Sequence, residues 1–143
     1  MKRKMHRFFI ILCVFTISFC ALVGCKEEKS AKAEIVAKTE TLVVIKVIEV
    51  KGDATLLDAM HYLQGEGALQ FEVVGGMLSS IEGKANPADW SACWMLYTSD
   101  AEMSNTQWGT VDYNEHTYGS AILGVDSLQV TVGEYYIWSF DSF

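Results

Sequence analysis

Apolar residues recur along this chain in two periods, and each period predicts a different element. From 41 to 50, TLVVIKVIEV is β-branched nearly throughout. Val43, Ile45, Val47 and Glu49 alternate with Val44, Lys46, Ile48 and Val50, leaving one apolar and one mixed face. That is the pattern of a central or sub-edge strand. Lys51-Gly52-Asp53 then turns the chain. Beyond it Leu56, Ala59, Met60 and Leu63 fall at i, i+3, i+4 and i+7, one face of a helix. Asp53 or Thr55 can cap its start, Asp58 stands where a capping box needs it, and Gly65 and Gly67 end it.

The remaining pattern is that of short strands. ALQFEVV is extended, Gly75-Gly76 interrupts it, and MLSSIEG resumes. NPADW, with the only proline (Pro87), reads as a loop, and ACWMLYTS as an aromatic strand. Residues 99–119 show no usable periodicity and read as a long polar loop carrying Trp108, Tyr113 and Tyr118. SAILGVDSLQVTVGEYYIWSF closes the chain as two or three strands. The fold class expected is α+β: one helix packed on a mixed sheet of about five or six short strands.

The chain begins differently. Lys2, Arg3, Lys4 and Arg7 precede the uncharged run FFIILCVFTISFCALV, and Leu22-Val23-Gly24-Cys25 follows as a lipobox. A basic start, an apolar core and small residues at the cut describe a secretory signal. Residues 1–24 are therefore expected to be a lipoprotein signal peptide, with Cys25 the lipidated residue. Two or more acyl chains anchor a protein stably to a membrane. Residues 25–40, rich in Lys, Glu and Ala, read as a polar tether, which leaves 41–143 as the folded domain. The expected location is extracytoplasmic, anchored to a bacterial cell membrane.

Removing the signal takes away four basic residues and no acidic one, moving the formal charge from −7 to −11. From residue 52 onward only Lys84 is basic. Such a surface repels phosphate backbones, so nucleic acid is not an expected partner. Cys13 and Cys20 leave with the signal and Cys25 takes lipid, so Cys93 has no cysteine left to pair with. Trp90 and Trp94 flank it in an apolar run, the setting of a core thiol. His61 on the helix and His116 in the polar loop lie in none of the local signatures of cysteine hydrolases. Asp112, Asn114, Glu115 and His116 crowd together, but without the central glycine and distal glutamate of a calcium loop. The chain is read as having no catalytic residues, no metal and no resident cofactor. The aromatic residues of its last third remain, as contacts for a ligand or a partner.

The motif order ATLLDAM, FEVV, LSSIEG, CWMLYTS and YYIWSF resembles the bacterial domain DUF4430 over roughly residues 41–143. That domain is similar to the C-terminal β-domain of the vertebrate cobalamin carriers transcobalamin and intrinsic factor. The resemblance implies a small β-grasp-like domain that presents loops to a ligand. It also implies a non-catalytic ligand-binding module on the cell surface, for cobalamin or another corrinoid, with a second protein completing the site. Carried over by position, Met77 and Leu78 before Ser79-Ser80-Ile81, and Trp94 and Tyr97 on the aromatic strand, are its candidate contacts. The segment before Ser79 is shorter than in the carriers and lacks their tryptophan, and Gly133-Glu134 replaces their Gly-Asp turn. Trp108 joins the candidates from the polar segment. The alternative is an adhesion or structural module that meets a surface protein or a glycan.

Overall fold

The structure is a computed structural model and describes residues 26–143. The signal segment and Cys25 lie outside the described residues. Strands β1 (Ser30–Lys38) and β2 (Leu42–Lys51) form an antiparallel pair, and helix α1 (Leu56–Gly65) follows. Next come β3 (Phe71–Val74), β4 (Met77–Ile81), β5 (Lys84–Ala85) and β6 (Ala92–Thr98). After a single 3-10 turn at Ala101–Met103, β7 (Ser104–Tyr113), β8 (His116–Ala121) and β9 (Tyr135–Ser142) complete the chain. Six strands pair in the order β1-β2-β9-β6-β8-β7, and a second sheet runs β3-β4-β5. One helix with two sheets is an α+β arrangement, richer in strand than expected. Every strand pairing among the described residues is antiparallel, not mixed.

The stretch expected to be a polar tether is instead an edge strand from Ser30. SAKAEIVAK alternates: Ala31 and Ala33 are buried while Lys32 and Glu34 are exposed. Helix α1 packs against β1, and alanine there allows close approach. Alanine is a poor strand former taken alone, so the packing of the helix, not local propensity, makes this a strand. The folded unit therefore starts about ten residues before residue 41.

The segment 99–119, expected to be a loop, is mostly the β7–β8 hairpin. Its turn, Asn114-Glu115, is left-handed at both residues, with φ of 49° and 67°. Two-residue turns of this hand match the twist of paired strands and favour Asn-Gly. Here the second position is a glutamate, which hides the signal. Periodicity is broken as well, because residues 106–109 bulge out between Asn105↔Ser120 and Thr110↔Gly119. A Cβ on Gly119 would lie 3.0 Å from the Thr106 backbone nitrogen, so glycine makes room for the bulge. The closing stretch also differs: residues 122–134 run irregularly, with one bridge between Gln129 and Thr55, and only β9 follows.

The main core lies on one face of the large sheet. Val43, Ile45 and Val47 of β2, with Tyr136 and Trp138 of β9, meet Leu56, Ala59, Met60 and Leu63 of the helix. Thr55 is the cap, and its N–H donates to Asp58 Oδ2 at 2.7 Å. The small sheet covers the rest of that face through Leu69, Phe71, Leu78 and Ile81. The opposite face carries Val44, Tyr97 and Ile137, with Tyr113, Tyr118 and Tyr135 packed around them.

Candidate functional site

The aromatic strand β6 decides the site. Along a strand, side chains alternate between faces. Trp94 and Leu96 therefore enter the main core, while Tyr97 points to the opposite face. Trp94 is 6% exposed, stacks edge-on against Phe140 with centroids 5.3 Å apart, and donates its indole N–H to the Lys84 carbonyl at 2.8 Å. Tyr97 donates its hydroxyl to Asp141 Oδ2 at 2.5 Å. Burial first, then that carboxylate, raises the Tyr97 phenol well above its ordinary value.

Two hollows flank Trp94. The larger, about 550 Å³, runs past Lys38, Thr39, Glu82 and Lys84. Its cations are already engaged: Lys38 Nζ lies 3.1 Å from Glu82 and 3.0 Å from the Ala68 carbonyl, and Lys84 sits over the Phe140 ring at 4.3 Å. The smaller, about 180 Å³, is walled by Gly76–Leu78 on one side and by Cys93–Leu96 on the other. Leu123, Gly124, Val125, Trp138, Asn86 and Trp90 complete its lining. It is the apolar one of the two, and it is the site we consider.

The sequence candidates divide between locations. Met77, Leu78 and Trp94 converge on this groove, Met77 being 59% exposed and Leu78 buried. Tyr97 is on the far face of the sheet. Trp108, 62% exposed, stands on the bulge of β7, two strands beyond β6. Odd spacing between Trp94 and Tyr97 separates them by simple alternation. Residues that a reading by family position passed over, Asn86, Trp90 and Leu123, complete the groove. Their signal was Pro87, which breaks the chain between two of them.

Trp90 is the unusual member, with φ of +56° and 56% of its surface exposed. Left-handed backbone costs a non-glycine residue about 1–2 kcal/mol, and a bulky residue there is an outlier. The turn is held by the Trp90 N–H on the Pro87 carbonyl at 3.1 Å. Beside it Asp89 accepts from the Ser91 N–H and hydroxyl, at 3.1 and 2.8 Å, which lowers its carboxyl below the usual range. Cys93 is half-buried, with Met95 sulfur 3.5 Å away; burial first and then Asp141 raise its thiol. Its nearest sulfur partner is a thioether, and no imidazole bonds it. His61 lies 3.4 Å from Gln64 and against Phe71, while His116 lies against Tyr118. Among the described residues no group of three or more potential ligands could hold a metal ion.

No family model matches this chain, and no curated protein or solved structure is significantly similar to it. The groove must be read from its own chemistry. That chemistry is an apolar slot the size of one ring or one large aliphatic side chain, lined in part by an exposed indole, Trp90, and one carboxamide, Asn86.

Proposed function

We propose that this protein is a non-catalytic binding module, carried outside the cell on a lipid at Cys25, with the groove between β4 and β6 as its site. The observation that carries the reading is the convergence of Met77, Leu78 and Trp94 on one apolar slot beside a strained, exposed Trp90. Backbone strain held at an exposed aromatic is characteristic of ligand-contact positions. Met77, Leu78 and Trp94 are three of the four residues the DUF4430 resemblance points to, the fourth, Tyr97, lying on the opposite face, and a corrinoid and a β-grasp relationship belong to this proposal. The motif order follows the element order, with TLLD opening α1, SSI on β4, CWMLY on β6 and YYIW on β9. A slot of about 180 Å³ takes only the edge of a corrinoid, which agrees with a second protein completing the site. Since β1 starts at Ser30, only Lys26–Lys29 separate the domain from Cys25. Four residues span at most about 14 Å, so the anchored domain would lie close to the lipid surface.

The test is a titration with cyanocobalamin, followed by tryptophan fluorescence and calorimetry. Saturable heat that Trp90→Ala and Met77→Ala both weaken supports the corrinoid version. No saturable signal at high micromolar concentration overturns it. A second reading, recognition of a protein segment, is favoured by one observation: the Ala92–Leu96 stretch of the β6 wall has no strand partner on the side away from β9.

A further inference from the structure

We infer that the groove takes an extended peptide segment by strand addition, with one large apolar side chain as anchor and basic residues flanking it. The inference rests on the binding-module reading and names the partner of that site.

Strand β5 is only two residues long, Lys84–Ala85. It pairs with β4 through Ser80↔Ala85 and Ile81↔Lys84, and the Asn86 N–H continues the ladder to the Ser79 carbonyl at 2.9 Å. On its other side it meets β6, where Trp94 donates to the Lys84 carbonyl. So the lane between β4 and β6 is held by β5 and Asn86, with backbone pairing to β4 alone and only side-chain bonds to β6. Pro87 ends the strand, because proline has no N–H to extend a ladder, and the chain turns away to Trp90. The lane then continues empty, and that empty lane is the apolar groove.

One wall of the lane is an unpaired strand edge. Strand β8 pairs with β6 only through Tyr97 and Thr98, so Ala92–Leu96 has no strand partner on that side. An open edge is a template for another extended chain. The lane also already holds an amide. Asn86 Nδ2 donates to the Leu78 carbonyl at 2.8 Å, and Asn86 Oδ1 accepts from the Trp94 N–H at 2.9 Å. A carboxamide has the donor and acceptor of a peptide unit, and here it bridges β4 to β6 as a strand would. The next peptide unit along the lane would belong to the partner.

Charge and size define the rest of the occupant. Asp89 directly precedes Trp90 in the chain, and the Asp126 carboxylate lies next to Gly76 and Gly124, which line the groove. A Cβ on Gly76 would come within 2.7 Å of Asp126 Oδ2, so glycine here is what lets that carboxylate sit so close. With acidic residues adjoining these lining positions and no cation in the lining, a segment flanked by Lys or Arg is complementary, and an acidic one is repelled. Trp90 offers its ring face to such a cation. The slot itself has room for one Leu- or Phe-sized side chain.

The probe is a blocked pentapeptide, Lys-Leu-Phe-Leu-Lys, with Ile and Met versions of its centre, titrated into the described chain, 26–143, and followed by calorimetry. Saturable binding is expected, weakened at least about tenfold by N-methylating the central amide. Replacing both lysines by glutamate should abolish it, and Leu123→Lys, which puts a cation into the lining, should weaken the parent peptide. On saturation, exchange of the Leu96 amide, whose N–H faces the same open edge as that of Trp94, should slow. Binding that tolerates N-methylation, with no added protection on β6, would mean a side-chain plug and overturns strand addition. Binding of cyanocobalamin but of no peptide overturns the peptide partner and leaves the binding-module reading standing. Silence from both overturns both.

Discussion

At the scale of single residues, two of the four non-glycine positions with left-handed backbone among the described residues hold it for opposite reasons. Glu115 occupies the second place of a hairpin turn, exposed and away from the groove. Trp90 has a similar φ in the lining of the groove. Glycine relieves strain at either place, at some cost in unfolded-chain entropy. Glu115→Gly should therefore raise stability by about 0.5–1 kcal/mol in urea unfolding and leave peptide or corrinoid binding unchanged. Trp90→Gly should be neutral to stabilising yet bind more weakly. A Trp90→Gly protein that loses stability and retains full binding would show that the turn serves only the fold.

Tyr97 gives a pH dependence of determined sign. Its folded-state pKa lies above the ordinary value of 10.0 because of burial and Asp141. An unfolded chain then loses the phenolic proton first, so stability is complete below about pH 10 and falls as pH rises beyond it. Tyr118 and Tyr136 are raised as well, mainly by burial, and add to the fall. Tyr97→Phe should flatten the decline in unfolding midpoint above pH 10, while lowering stability at pH 7 by about 1–3 kcal/mol. A decline as steep as in the parent protein would rule out Tyr97 as its main source.

At the scale of elements, the least legible feature was β1. Its inward residues are alanines, which contribute little hydrophobic signal but let α1 sit close to the sheet. Ala33→Leu should force that helix outward and cost about 1–3 kcal/mol in thermal or denaturant unfolding. Were the residue in a solvated tether, the change would be nearly neutral, so the experiment distinguishes the two directly. The β7–β8 hairpin was hidden differently. Its bulge interrupts period two at residues 106–109, and its turn lacks the expected Asn-Gly. By contrast, α1 and β2 were legible because the apolar residues of each follow a single period without interruption.

At the scale of the whole molecule, the described chain carries seven lysines against all eighteen acidic residues. Only three ion pairs form among the described residues, all at exposed or partly exposed side chains. Exposed pairs contribute little, about 0–1 kcal/mol each, so self-repulsion is the larger electrostatic effect. Raising salt from about 0.01 M to 1 M shortens the screening length from about 30 Å to about 3 Å. The melting temperature should rise by a few degrees across that range. A fall would show that the ion pairs outweigh the repulsion.

The candidate site shows where local pattern stops. Met77, Leu78 and Trp94 could be named from their order in the chain, and they do meet. Tyr97 was named with them, although three residues from Trp94 on a strand means the other face. Composition and periodicity along the chain determined the acidity, the helix, the long apolar strand and the aromatic close, because these depend on neighbours a few residues apart. Only the tertiary structure decided that β1 joins the sheet, that β5 stops at Pro87, and that an empty lane lies between β4 and β6. Those outcomes depend on edges that are distant in sequence and meet only when the sheets assemble.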